Sequence, residues 1–279
     1  MRRQLWLGLM AGVLAMALAG PASAITFGEL DTSDQYSNVG ALIYQEDDGN
    51  FYIYCTGTLI QDNDGGDSNI FLTAAHCIPD DEDEIAGVQM WVSFDPTIDL
   101  DPETDAVVVA TTTMYSVTAY AHEDFACCGA NDTFDIAVVV LDDEVAGITP
   151  AVIADEGLLS SMTETELRAA TYLTAGYGTV RNDKTGGFAP FFFDGDRRWA
   201  QQSALSLTKS WLTLSMNPST GDGGTCYGDS GGPHFLLVDG ELVLVSITVT
   251  GDIPCRATDK TYRIDTAVAQ AFLAPFLAW

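Results

Sequence analysis

The sequence predicts an all-β protein, either a barrel or a sandwich, on three observations. Ten short segments are rich in β-branched and aromatic residues, which is typical of strands. Clusters of Asp, Gly, Asn and Pro separate them and predict turns. The last segment, residues 265–279, has a helical pattern with Asp265 or Thr266 as its N-cap and Pro275 disturbing its last part. The predicted strands are residues 39–44, 51–60, 70–74, 88–94, 106–120, 136–141, 171–175, 211–216, 235–238 and 242–250.

The first 24 residues have the layout of a secretory signal peptide. A basic start is followed by an apolar run over residues 5–20 and by Ala22-Ser23-Ala24, a small-x-small cleavage site. The alternative is a membrane anchor, for which the run is short. We therefore expect a signal peptide over residues 1–24, one domain over residues 25–279, and secretion to the extracellular space or the periplasm without membrane attachment.

The charge balance excludes one class of partner. The chain has 11 Lys and Arg against 40 Asp and Glu, a formal net charge of −29. Binding to nucleic acid needs many basic contacts to phosphate, so we expect no nucleic-acid partner. A solvated acidic surface that keeps a monomer soluble is the simplest interpretation. The acidic run over residues 80–84 is a surface loop by this reasoning, with a calcium site as the alternative.

Six cysteines follow the signal segment, and export favours disulfide bonds between them. Zinc binding is the rival interpretation, but neither a CxxC pair nor an HExxH motif is present, so we predict no metal and no cofactor. The adjacent Cys127 and Cys128 leave three alternatives open: a vicinal disulfide, free thiols, or a bond to another molecule. The full set is Cys55, Cys77, Cys127, Cys128, Cys226 and Cys255.

Three separate segments carry the groups that acyl transfer by a serine needs. Ser230 lies in the string GDSGGP, where flanking glycines allow a tight exposed turn and the amides of Gly228 and Ser230 can converge on an oxyanion. His76 ends an apolar strand in LTAAHC and is the candidate base. Asp135 begins the apolar strand of DIAVV, where burial requires a partner, although a turn aspartate is the alternative interpretation. The other histidines, His122 and His234, lack such a context.

The order His, Asp, Ser in LTAAHC, DIAV and GDSGGP resembles the trypsin/chymotrypsin-like serine protease family, and the likeness runs from residue 25 to the end. The segment AGYGT at residues 175–179 resembles the family's AGWGT. This resemblance implies two packed antiparallel β-barrels with a C-terminal helix and a catalytic cleft between the barrels. It implies the triad His76, Asp135 and Ser230. It also implies disulfides from Cys55 to Cys77 and from Cys226 to Cys255.

The resemblance further implies an activation step and a specificity pocket. A new N-terminus at Ile25, produced by signal cleavage, would place its ammonium against Asp229. Gly224 stands where trypsin-like members have an aspartate, so the sequence does not define what is cleaved. If Lys260 points inward, it favours an acidic P1 residue; if it points outward, Asp259 or Asp252 supplies negative charge instead. The expected pocket residues are Gly224, Thr225, Ser246, Thr248 and Lys260.

The predicted function is therefore that of a secreted serine endopeptidase acting on protein or peptide substrates through an acyl-enzyme. The alternative is a protease-like binding protein without activity. One feature has no assigned role: an extended segment over residues 186–198 contains three consecutive phenylalanines, for which core packing is the default expectation.

Overall fold

A computed structural model describes residues 25–62, 65–79, 89–126, 133–180 and 191–277. The predicted signal peptide, the acidic run 80–84 and the pair Cys127 and Cys128 lie outside these residues. The described strands are β1 Glu29–Leu30, β2 Val39–Gln45, β3 Phe51–Leu59, β4 Ser68–Thr73, β5 Met90–Ser93, β6 Tyr115–Ala121, β7 Ala137–Val145, β8 Val152–Ile153, β9 Thr171–Gly176, β10 Arg198–Leu207, β11 Trp211–Ser215, β12 Pro233–Val238, β13 Glu241–Gly251 and β14 Thr258–Arg263. The helices are α1 Leu158–Ser161, α2 Glu164–Ala169 and α3 Ala267–Leu277, with a 3-10 turn at Ala75–Cys77.

The first barrel is a closed antiparallel ring of six strands in the order β2-β3-β4-β7-β6-β5. Its strands are runs of β-branched and aromatic residues whose apolar side chains fill the interior. The pairing of β4 with β7, which sets Ile70 opposite Val140 and Leu72 opposite Val138, brings the ends of these two strands together. The segments that follow β4 and precede β7 are consequently neighbours at one end of the barrel.

The second barrel also has six antiparallel strands. They follow the order β10-β11-β14-β13-β12-β9, and pairing of β9 with β10 closes the ring. Two short strands attach outside it, since β1 pairs with β10 and β8 pairs in parallel with β13. The expectation of an all-β protein with two packed barrels and a C-terminal helix is confirmed. No helix in the described ranges is both long and apolar enough to cross a membrane.

A buried arginine joins the two barrels. Arg197 directly precedes β10, and its guanidinium is fully buried. It donates to the Asp31 carboxylate at 3.0 Å, to the Val39 and Phe94 carbonyl oxygens at 3.1 and 3.0 Å, and to the Tyr177 hydroxyl at 3.1 Å. One side chain therefore ties the N-terminal segment and the first barrel to the start of the second.

The structure differs from the predicted elements in several places, and the short elements β1, β8 and α1 were also not predicted. The predicted strand 106–120 begins only at Tyr115, because the preceding residues form a loop in which Val107 bridges Leu100 and packs into a small apolar cluster. Strands β10 and β14 were missed because buried polar residues interrupt their apolar alternation. Helix α2 was also missed, although Thr163 and Glu166 form a capping box that the sequence does show.

Candidate active site

The cleft between the barrels contains a cavity of about 590 Å³ that brings two of the predicted catalytic residues together. His76 from the first barrel and Ser230 from the second both line it, with Gly228 beside Ser230. The Cys77 sulfur lies 3.6 Å from the Ser230 carbonyl oxygen, so the histidine segment and the serine turn are in contact. Both expected disulfides, Cys55–Cys77 and Cys226–Cys255, are present.

Asp135 holds His76 through two contacts. Its Oδ2 lies 2.8 Å from the His76 Nδ1, and its Oδ1 accepts a hydrogen bond from the His76 backbone N–H at 3.0 Å. The aspartate is only 4% exposed, whereas the imidazole is partly open to the cavity. Because Nδ1 faces the carboxylate, Nδ1 carries the proton and Nε2 is left as the basic nitrogen. The buried aspartate is thus paired, as its position at the start of β7 requires.

Ser230 lies in a turn that only glycine permits on its C-terminal side. Gly231 has φ +77°, and a Cβ there would meet the Thr73 Oγ1 at 2.0 Å and the Thr56 carbonyl oxygen at 2.5 Å. The turn is fixed to the first barrel because the Thr56 N–H donates to the Ser230 carbonyl and the Thr56 hydroxyl donates to the Gly228 carbonyl, both at 2.9 Å. These bonds orient both carbonyls away from the cavity. The sequence reasoning missed Thr56, whose only signal is its position beside Cys55.

Asp229 is fully buried behind the serine. The amides of Gly178 and Cys226 donate to its carboxylate, each at 2.8 Å. A Cβ on Gly178 would lie 2.4 Å from this carboxylate, which explains why the second glycine of AGYGT is needed. Burial nevertheless raises the pKa of Asp229 from 3.8 to about 7, because two amides compensate only partly for the lost hydration. No arginine or lysine in the described ranges forms a salt bridge with it.

The first described residues, Ile25 and Thr26, lie against the second barrel near Gly224 and Cys255. Ile25 is fully buried, and Thr26 forms an isolated β-bridge with Gly224. The Thr26 hydroxyl donates to the carbonyl oxygens of Gly224 and Cys255 at 3.2 and 2.9 Å. In the full-length chain the nitrogen of Ile25 is a peptide amide, so it carries no positive charge.

The expected pocket residues occupy one region of the second barrel, with one correction. Gly224 and Thr225 are buried just before Cys226, and Ser246 and Thr248 are buried on β13. Lys260 does not point inward, since its ammonium lies 4.1 Å from the centre of the Trp211 ring. Alternation along β14 places the neighbouring Asp259 on the interior side instead, where it is fully buried.

Asp259 belongs to a polar cluster inside the second barrel. Gln202 donates to its carboxylate at 3.0 Å, and the His234 Nε2 lies 3.5 Å from it and 2.9 Å from the Thr248 hydroxyl. Burial raises the pKa of Asp259 to about 6, and burial lowers the pKa of His234 to about 3. The histidine is therefore neutral at pH 7 and does not neutralise the carboxylate. No motif around His234 marks it as a member of such a cluster.

A comparison with protein-family models found one match. The model described as "Lysyl endopeptidase, C-terminal domain" matches residues 28–146, which is less than half of the chain. The matched residues are those of β1 and the complete first barrel. No curated protein sequence matched the chain. The double-barrel fold and this match define a protease-related protein with a chymotrypsin-like architecture.

Proposed function

We propose that the protein is a serine endopeptidase with His76, Asp135 and Ser230 as its catalytic triad. The observation that carries this proposal is the pairing of His76 with Asp135 in a cleft that also exposes Ser230. In this arrangement the Ser230 hydroxyl attacks the peptide carbonyl carbon while the His76 Nε2 accepts its proton. His76 then gives that proton to the departing amine, and an acyl-enzyme remains on Ser230.

Deacylation uses the same groups in reverse. Water attacks the ester carbonyl while His76 accepts its proton, and the Ser230 oxygen leaves with that proton restored. The amides of Gly228 and Ser230 stabilise the oxyanion in both steps. Neither amide is engaged in a hydrogen bond within the described part of the chain, which is what an oxyanion site requires. Gly228 has φ +95°, a conformation that favours glycine.

The test is labelling with a fluorophosphonate probe, read by intact mass, together with hydrolysis of casein. We expect one adduct per chain and turnover, both lost in Ser230→Ala. Ser219→Ala removes an exposed serine and is the matched control, which should keep both. Turnover without dependence on Ser230 would refute the assignment. A folded wild-type protein with neither adduct nor turnover would instead support the alternative of a protease-like binding protein.

Secretion and activation form part of the proposal. The two disulfides and the protease-like fold are consistent with an extracellular protein, and residues 1–24 are the proposed signal peptide. Cleavage after Ala24 would convert the Ile25 nitrogen into an ammonium group. Its partner would be Asp229, which is buried and forms no salt bridge with a lysine or arginine among the described residues. Sequencing of the secreted, active form should give Ile25 as the first residue.

The preferred P1 residue under this proposal is basic. Gly224 supplies no charge, whereas Asp259 places a buried carboxylate beside Thr225 and Thr248 and forms no salt bridge with a lysine or arginine in the described ranges. The name of the matching family also refers to lysine. Substrates with Lys or Arg at P1 should be cleaved faster than substrates with Tyr or Glu. Asp259→Asn should reduce this preference, and Glu241→Gln, at an exposed acidic residue, is the control.

A further inference from the structure

The described lining of the cavity at Ser230 belongs mainly to the first barrel. Beyond the catalytic residues the cavity is lined by β3, by the loop that follows β5, by Glu46 after β2, and by Phe193 and Tyr227. No residue of β13 or β14 is among its described lining residues. The acyl side of the substrate is expected along β13, where Ser246 and Thr248 lie. The cavity is therefore on the opposite side, where the leaving group of the substrate must sit.

Two irregular segments, the loop after β5 and the residues around Phe193, build part of this cavity. The loop after β5 is fixed by a hydrogen bond from the Ile98 N–H to the Gly195 carbonyl oxygen at 2.8 Å, and by Thr97, whose hydroxyl donates to Asp196 at 2.7 Å. Phe193 lies just before Gly195 and Asp196 in the sequence. Its ring packs on the oxyanion turn, since a Cβ on Gly228 would lie 2.8 Å from a ring carbon. The third phenylalanine of the run is thus a wall of the cavity rather than core packing.

The walls are apolar and the rim is acidic. Tyr54 is half exposed and is held by stacking on Tyr44, with ring centres 4.9 Å apart. Leu100 contributes aliphatic surface. Two exposed carboxylates, Glu46 and Asp105, line the same cavity, and no lysine or arginine is among its described lining residues. An apolar wall below paired negative charges suits a long side chain with an aliphatic stem and a cationic end.

We propose that this cavity is the subsite for the residues just after the scissile bond and that it selects Lys or Arg there. Tyr54 and Phe193 contact the stem and the planar face of the cation, while Glu46 and Asp105 attract its charge. The inference rests on the proposed endopeptidase function, because only a substrate that extends past the cleaved bond reaches the cavity. It is independent of the P1 preference.

The experiment compares internally quenched peptides that share one acyl-side sequence and carry Arg, Gln, Glu or Phe at the first and second positions after the scissile bond. We expect kcat/KM for Arg to exceed that for Gln by about three- to tenfold, the range for two exposed ion pairs. The order should be Arg above Gln above Glu. At 1 M NaCl the preference should shrink, because exposed charges are screened.

The double variant E46Q/D105N should abolish the preference. Asn is tolerated at position 105, where Asp105 has φ +59°. The variant should cleave a p-nitroanilide substrate with kcat/KM close to that of the wild type, since its neutral leaving group has no cationic side chain for Glu46 and Asp105 to attract. Asp47→Asn removes an exposed charge outside the cavity and is the matched control, which should retain the preference.

Two results would overturn the inference: equal rates for Arg and Gln in the wild type, or a preference for Arg that survives in E46Q/D105N. A preference for Phe would assign the cavity to apolar residues and would also overturn it. Failure of the proposed function gives a different result, because no peptide would then be cleaved and the fluorophosphonate probe would not react with Ser230.

Discussion

The two barrels share strand number and closure but differ in what they bury. In the described part of the first, the interior is apolar with a few hydroxyl groups, and the buried acid Asp135 at the cleft is paired with His76. The second encloses Gln202, His234 and Asp259 together, with Asp229 close enough to interact with Asp259 electrostatically. The family match covers only the first barrel. The first barrel therefore contains a buried acid whose pairing with His76 was expected from the sequence, whereas the environment of the buried acids in the second barrel is defined only by the structure.

The largest expected effect is on the proposed catalysis, and it follows substitution of Asp135 in the first barrel. Asp135→Asn should lower kcat by about 10⁴-fold, because an amide in place of the carboxylate favours the wrong tautomer of His76 and no longer stabilises the imidazolium. Single-turnover acylation by an activated ester measures this change. Asp124→Asn, at an exposed acid near the same cleft edge, should leave kcat within twofold. A loss below tenfold in Asp135→Asn would contradict the role proposed for Asp135.

The second expected effect concerns the coupling of the barrels. Arg197→Met should lower the free energy of unfolding by about 3–5 kcal/mol, because it leaves Asp31 buried without its cation and removes the donors to the Val39 and Phe94 carbonyls. Urea denaturation measures the change. Arg168→Met breaks the exposed pair with Glu164 and should cost no more than about 0.5 kcal/mol. Equal losses in the two variants would show that the buried arginine does not hold the barrels together.

The sequence predicted more of the first barrel than of the second, for a physical reason. Strands β4 and β7 contain the apolar runs 70–72 and 137–141, so both their type and their position beside His76 and Asp135 were predictable. Strand β14, with the sequence TDKTYR, has no apolar period, because its interior positions carry Asp259 and Thr261. The orientation of Lys260 depends on alternation within that strand. A strand that is not recognised gives no prediction of which side chains face inward.

Loops that form the cavity were unpredictable for another reason. Phe193 and Leu100 are far apart in sequence, and their approach depends on the bond from Ile98 to Gly195 and on the absence of a side chain at Gly195. A Cβ on Gly195 would lie 2.0 Å from the Ile98 carbonyl oxygen. Sequence patterns report local structure, whereas this contact joins two irregular segments from different barrels. Only the three-dimensional structure relates them to Ser230.

The third prediction tests the proposed pairing of the Ile25 ammonium with Asp229 in the second barrel. A chain with one glycine placed before Ile25 should lose most activity, because its ammonium can no longer reach Asp229. Its stability should also depend on pH in a defined direction. The pKa of Asp229 rises from 3.8 to about 7 when no cation faces it, so the folded state retains this proton longer than the unfolded state. Stability should therefore fall as pH rises from about 4 through 7.

Thermal unfolding of both forms between pH 4 and pH 8 measures this difference. The form that begins at Ile25 should lack the decline, because an ammonium partner lowers the pKa of the carboxyl group. Adding Asp229→Asn to the glycine-extended form is the control for the carboxyl group, since it should remove the decline without restoring activity. Full activity in the extended form would reject the proposed pairing of Ile25 with Asp229.

The last prediction concerns His234, and its pH dependence has the opposite sign. Burial lowers the pKa of His234 from 6.5 to about 3, so the unfolded state binds a proton that the folded state excludes. The resulting stability is complete above pH 6.5 and is lost as pH falls toward about 3. His234→Gln retains a group that can hydrogen bond to Thr248 but cannot be protonated, so its stability should decline less between pH 7 and pH 4. His122→Gln, at a partly exposed histidine, is the control. If urea denaturation gives the same decline for His234→Gln and the wild type, the polar interior of the second barrel is not the source of its acid sensitivity.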